Sequence, residues 1–363
     1  MNRKILTAFL FLLLGAGVLF FVFYKTETVS PEFSIDYPDY KELPPEPEGL
    51  PVRKVLPNDY HVLQTFNNCA PAALSMALSY FGVRVSQEEL ADSLRPVHNL
   101  SGKNDDKSTT PYELADEAKK YGLVPYFRPG GNIEILKQFI ANDIPVVVRT
   151  LLKNEEDFAH YRVVKGYDDL TSELIEDDGY QGDNISFSYD DFMDIWQPFN
   201  YGYLALVPKD KQDVAEAIIG RNMDPIWAWK NAVKVSEQKL KNNPGNIREV
   251  FNLSVALYYA GEYDRSVEEF EKVESKLPVH TIWYQIEPIE AYFKLGNYER
   301  VFSLTDSILN NKNPAYSELY ILRGNSYLKE GNVKMAKEEF EKAVFYNKNL
   351  ASAREALASV DTN

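Results

Sequence analysis

The sequence predicts an α+β domain followed by an all-α repeat domain, behind an N-terminal transmembrane helix. Three observations predict it. An apolar run broken only by Thr7 stands near the start of the chain, helical periodicity gives way to short β-rich segments in the first half, and a 35-residue period governs the last third. At 363 residues the chain is long enough for two domains with cores of their own. Its formal net charge of −15 argues against nucleic acid as a partner, since phosphates attract basic surfaces.

The apolar run extends from Ile5 to Tyr24 behind Arg3 and Lys4. About twenty helical residues cross the hydrocarbon of a bilayer, and basic residues ahead of the run favour the orientation with the C-terminal side outward. Residues 1–30 are therefore read as a membrane anchor or signal segment, a single-pass span that places the folded domains on the extracytoplasmic side of the cell membrane. A cleaved signal peptide is the alternative. Residues 31–57, with Pro44, Pro45 and Pro47, read as a semi-extended spacer.

Residues 58–209 carry the mixed domain. Its first helix starts at about Cys69 and stops at Gly82, a residue suited to a left-handed C-terminal turn. Ser86 with Glu89 begins a second helix, "TTPYELADEAKKYG" forms a third and Ile133 opens a fourth. Four β-rich segments follow, "PVVVRTL", "AHYRVVKGYDD", "SELIED" and "YGYLALVP". Residues 210–363 form the repeats. Gly261, Gly296 and Gly331 recur at intervals of 35, and Tyr263, Phe270, Gly324, Tyr327, Ala336, Phe340 and Ala343 take the knob positions of helix-turn-helix units. The segment from Asp224 to Pro244 reads as a degenerate further unit. Such arrays offer a concave face to a protein or peptide. Each part is expected to fold on its own, with the thiol chemistry independent of the repeats.

Cys69 is the one cysteine of the chain. At a helix N-terminus, the unpaired amides lower a thiol's pKa and favour the thiolate, which is the nucleophile. A base must accompany it. Among His61, His98, His160 and His280, His160 opens a strand, the kind of rigid element that holds a catalytic base. No cluster with metal-ligand spacing and no glycine-rich phosphate loop occurs, so neither a metal nor another cofactor is expected.

The stretch from Gln64 through Cys69 to Gly82 resembles the signature of the C39-like cysteine peptidases, papain-like enzymes in which a glutamine stands five residues ahead of an Asn-Cys-Gly-Pro-Ala run. "TTPYELADEAKKYGL", "IPVVVRT", "HYRVVKGYDD" and "DDGYQGDNISFSYDDFMDIW" continue the likeness in family order, over about 150 residues from Tyr60 to Pro208. The resemblance implies Cys69 as nucleophile, His160 as general base and acid, Asp178 as the group orienting the imidazole, and Gln64 with the Cys69 N–H as oxyanion donors. Asp177 is the rival to Asp178. Ala70 and Gly179 depart from the family's usual glycine and proline. The implied activity is hydrolysis of peptide bonds in a peptide or protein substrate, with the repeats recruiting that substrate or a protein partner. The alternative is a catalytically inactive C39-like scaffold that binds peptides; acyl or amide transfer by the same thiol is a third reading. Hydrogen-bond reach between Cys69 and His160 is the geometric requirement for catalysis.

Overall fold

The computed structural model describes residues 49–97, 109–310 and 313–361. The apolar N-terminal run and most of the spacer lie outside the described residues, as does His98. Among the described residues no helix is long and apolar enough to cross a membrane.

Arg53–Val55 form strand β1, so the end of the segment read as spacer belongs to the sheet. Three helices follow, α1 (Cys69–Ser79), α2 (Gln87–Leu94) and α3 (Pro111–Lys119). Gly82 has the positive φ of 75° that its turn requires. Ser86 accepts a hydrogen bond from the Glu89 N–H, while at α3 the reciprocal capping box is complete between Thr110 and Glu113. Then come β2 (Val124–Arg128), α4 (Ile133–Ala141), β3 (Val146–Leu151), β4 (Ala159–Asp168), β5 (Glu173–Asp178), β6 (Gly182–Ser188), α5 (Tyr189–Trp196) and β7 (Tyr203–Val207). Strands β2 and β6 went unread because their burial patterns do not alternate cleanly.

The sheet runs β2-β7-β3-β4-β5-β6, every pair antiparallel, with β1 completing the edge of the long β4 beside β3. Alternate residues of the central strands go to opposite cores. Val147, Tyr161, Val163, Leu204 and Leu206 pack with α1 to α3. Val146, Val148, Val164, Tyr203 and Ala205 pack with α4 and α5. Covering on both faces explains why β3 is buried along its whole length. Helix α1, buried from Ala70 to Leu78, is apolar on all sides and has no solvent face to pattern.

After α6 (Gln212–Ile219) the chain is helical: α7 (Pro225–Asn242), α8 (Ile247–Tyr259), α9 (Tyr263–Val273), α10 (Thr281–Tyr284), α11 (Glu287–Lys294), α12 (Tyr298–Leu309), α13 (Ser317–Lys329), α14 (Val333–Tyr346) and α15 (Ala351–Asp361). The period-35 glycines sit in left-handed turns between paired helices. Gly324 is a packing requirement, because a Cβ there would lie 2.3 Å from the Phe340 ring.

The repeats do not stand apart from the sheet domain. Gln197 Nε2 donates to Glu249 at 2.7 Å, Asn252 Nδ2 to the Gln197 carbonyl at 2.7 Å, and Arg248 to Asn154 at 2.9 Å. At the far end Asn347 Nδ2 donates to the Leu94 carbonyl at 3.2 Å. Glu249 and Asn252 are buried, and the two parts pack into one body.

Candidate active site

Cys69 begins α1, half-buried, directly behind the turn that carries Gln64. That turn is built locally. Asn68 closes on Thr65 through N–H to carbonyl at 3.1 Å and Nδ2 to hydroxyl at 2.7 Å, and Asn67 takes a positive φ of 57°. The buried Gln87 of α2 clamps it, accepting from the Thr65 N–H at 2.9 Å and donating to the Leu63 carbonyl at 2.8 Å. The Asn68 side chain makes no cap bond to α1. The first amides of the helix are therefore left to act on the thiol.

His160 stands at the start of β4, and its side chain is the main group acting on the thiol against burial. The other face of the ring is fixed, with Nε2 2.9 Å from Asp178 Oδ1. Asp178 lies at the end of β5, paired in register with Arg162. Its Oδ1 also accepts from the Tyr180 N–H at 2.6 Å and the Gln181 N–H at 2.9 Å, and its Oδ2 from Arg162 Nη1 at 2.6 Å. His61 approaches from below, Nε2 at 2.9 Å from the Asp178 carbonyl. The exposed Tyr180 sets its ring edge-on to His160, centroids 6.5 Å apart.

The charges follow from these contacts. Burial opposes ionisation of Cys69, but the hydrogen bond and charge of His160, the Tyr161 N–H and the Arg95 guanidinium outweigh it and lower the thiol pKa. Burial would lower the His160 pKa, yet Asp178 and Cys69 together raise it to about 9. Burial would raise that of Asp178, but His160, Arg162 and the Gln181 N–H hold it at about 2. The contacts thus favour the thiolate at Cys69, the imidazolium at His160 and the carboxylate at Asp178.

The structure brings Cys69, His160 and Asp178 together, with Gln64 on the adjoining turn. Asp177 lies elsewhere: its side chain pairs with the buried Lys165 at 2.5 Å and accepts from the Tyr80 hydroxyl at 2.7 Å. Gly179 is the joint of the site. Its carbonyl accepts from the Gln64 N–H at 2.7 Å, and a Cβ on it would press to 3.3 Å on both Ala72 and Gln64. The buried Gln64 Oε1 has no hydrogen-bond partner.

Sequence reasoning missed Arg162 and Glu176. Arg162 is fully buried, donating from Nε to Thr150 at 3.0 Å and from Nη2 to the Leu152 carbonyl at 2.8 Å. Glu176 lies 3.4 Å from it, its pKa pushed up to about 7 by burial and by the charge of Asp178. The signal available was the spacing: His160 and Arg162 on one strand, Glu176 and Asp178 on the next, two apart in each case and hence on one face.

Residues 54–204 match the model of the Peptidase_C39 like family, and residues 317–350 match that of the tetratricopeptide repeat. Residues 54–204 are thus similar to C39-like peptidase domains, and residues 317–350 to a tetratricopeptide repeat. No curated protein matches the chain. Similar solved structures fall into the same two groups. A C39-like peptidase from Bacillus anthracis is 18% identical, spans 43% of this chain and 98% of its own, and gives a TM-score of 0.38. The peptidase domain of Streptococcus ComA is 21% identical over 43% of this chain and 98% of its own, with a TM-score of 0.32. A tetratricopeptide protein of Thermus thermophilus is 19% identical over 39% of this chain and 77% of its own, with a TM-score of 0.32.

Proposed function

We propose that the chain is a membrane-anchored cysteine peptidase that hydrolyses peptide bonds on the extracytoplasmic side of the membrane. The continuous line Cys69–His160–Asp178 carries this reading, with its thiol pKa lowered and its imidazole pKa raised. The Cys69 thiolate attacks the substrate carbonyl carbon and forms a tetrahedral intermediate. His160, already protonated, gives its proton to the departing amine. A water then enters, His160 takes one of its protons, and the thioester is cleaved to free acid and thiol. Asp178, itself pinned by Arg162, holds the ring in orientation throughout. The Cys69 N–H, at the open start of α1, and the Gln64 side-chain amide serve the oxyanion. Anchoring rests on the apolar run from Ile5 to Tyr24.

The test is exposure of the full chain to a peptide mixture, read by mass spectrometry, beside Cys69→Ala. New termini that appear only with the intact thiol support the reading. Peptides bound by both forms and cut by neither would replace it with a binding scaffold.

A further inference from the structure

The repeats reach the turn and strand that carry His160. The first helices of two units, α8 and α13, have 13 residues each, whereas the equivalent α11 has 8. Ahead of α11 the chain leaves the regular path at Pro278 and lays α10 on the peptidase-like domain. His280 Nδ1 lies 2.8 Å from Asp157 Oδ2, and the His280 and Phe158 rings are 4.7 Å apart. Asp157 and Phe158 end the turn that delivers the strand of His160. Arg149 Nη1 donates to the Tyr284 carbonyl at 3.1 Å, and Gln285 Nε2 to the Pro198 carbonyl at 2.9 Å. Tyr284 packs on the cluster of Leu151, Ile195 and Phe199, against which Ala159, the neighbour of His160 in β4, also packs. Burial pushes its phenol pKa up to about 12, and the Cys69 thiolate is near enough to add to that rise.

Behind Tyr284 is a cavity of about 50 Å³, walled by Leu151, Phe199, Phe251, Leu277 and Pro278. A water-sized site takes about 10–15 Å³ by this measure, so the space holds a group of about three or four heavy atoms. Its walls are mostly hydrocarbon; the charged groups that also line it, Glu156, Asp157 and Arg248, are already engaged by Lys153, His280 and Asn154, so a charged group entering would lose hydration without a free partner.

We propose that this interdomain cavity is a substrate subsite: it takes a Val- or Leu-sized aliphatic side chain of the peptide attacked by Cys69, and Tyr284 is the wall that contacts the bound chain. The proposal rests on the peptidase reading. The repeats then supply part of the substrate site itself, and specificity depends on a residue more than two hundred positions from the nucleophile.

The experiment uses the full chain and peptidyl vinyl sulfones in which one side chain at a time is Gly, Leu or Lys, with labelling of Cys69 followed by mass. At one position Leu is expected to outpace Gly and Lys by about tenfold or more, the scale on which apolar pockets discriminate. In Tyr284→Ala, which opens the wall, and in Thr281→Phe, which fills the cavity, that preference should fall to within about twofold. Absence of an aliphatic preference at every position, or its persistence in both variants, overturns the subsite while leaving a reactive thiol. Labelling no faster than that of a free cysteine overturns the peptidase reading, and the subsite with it.

Discussion

Two faces of one β-hairpin handle buried charge in opposite ways. On one face of β4 and β5, Lys165 and Asp177 neutralise one another at 2.5 Å, with Tyr80 donating to the same carboxylate. On the other, His160, Arg162, Asp178 and Glu176 leave a chain that ends at a half-buried thiol. Both groups are almost fully buried, so burial does not distinguish them. What does is closure. The first set is a sealed pair. The second runs from a core arginine to a half-buried thiol.

Removing the nucleophile or the base gives the largest expected effect. Cys69→Ala and His160→Ala should each remove hydrolysis, a loss on the order of 10⁶-fold, and the double variant should be no slower than either, because the two act as one unit. Rates measured for all three against a common peptide check this. The hairpin comparison is sharpened by the adjacent aspartates. Asp178→Asn should cost about 10⁴-fold in rate, the scale seen when an orienting carboxylate is lost. Its fold should persist, since Glu176 remains to hold Arg162. Asp177→Asn should do the reverse. It leaves Lys165 buried without its counter-charge, at a cost of about 3–5 kcal/mol of stability in denaturant titration, with little change in rate per folded molecule. Equal rate losses in the two variants would erase the distinction. Gln64→Ala should cost less, about 10²–10³-fold, as for one oxyanion donor. A loss as large as that of Cys69→Ala would mean that the turn itself had come apart. The smallest effect is on pH dependence. Hydrolysis needs the imidazolium proton, so its alkaline limb should fall near the His160 pKa of about 9. Removal of the Asp178 charge takes away a group that raises that pKa and should move the limb to lower pH.

Much of this was legible along the chain. The boundary between periodic helices and short β-rich runs marked the mixed domain, and the glycines at 261, 296 and 331 marked the repeats. Cys69 and His160 stood out because the chain has one thiol and few imidazoles. Asp177 and Asp178 could not be separated by composition. Which one faces His160 depends on the cross-strand register that pairs Asp178 with Arg162, set by the whole sheet. Arg162 was hidden for a related reason, since a cation inside an otherwise apolar strand shows its purpose only when the carboxylates of the next strand are in place. Tyr284 was further out of reach. It meets Leu151 and Phe199 only because the repeats fold back on the sheet domain, and the shortened α11 was the faint trace of that in the sequence.

The most direct test of the account is the pH dependence of Cys69 alkylation by iodoacetamide, made unambiguous by there being one cysteine in the chain. Thiolate forms above the thiol pKa, and His160 is the main group lowering that pKa against burial. The account predicts a midpoint below the value of about 8.5 for a free thiol. In His160→Ala it predicts a midpoint above that value, because burial is then unopposed by the imidazolium. A wild-type midpoint at or above 8.5, or one that His160→Ala leaves where it was, would contradict it.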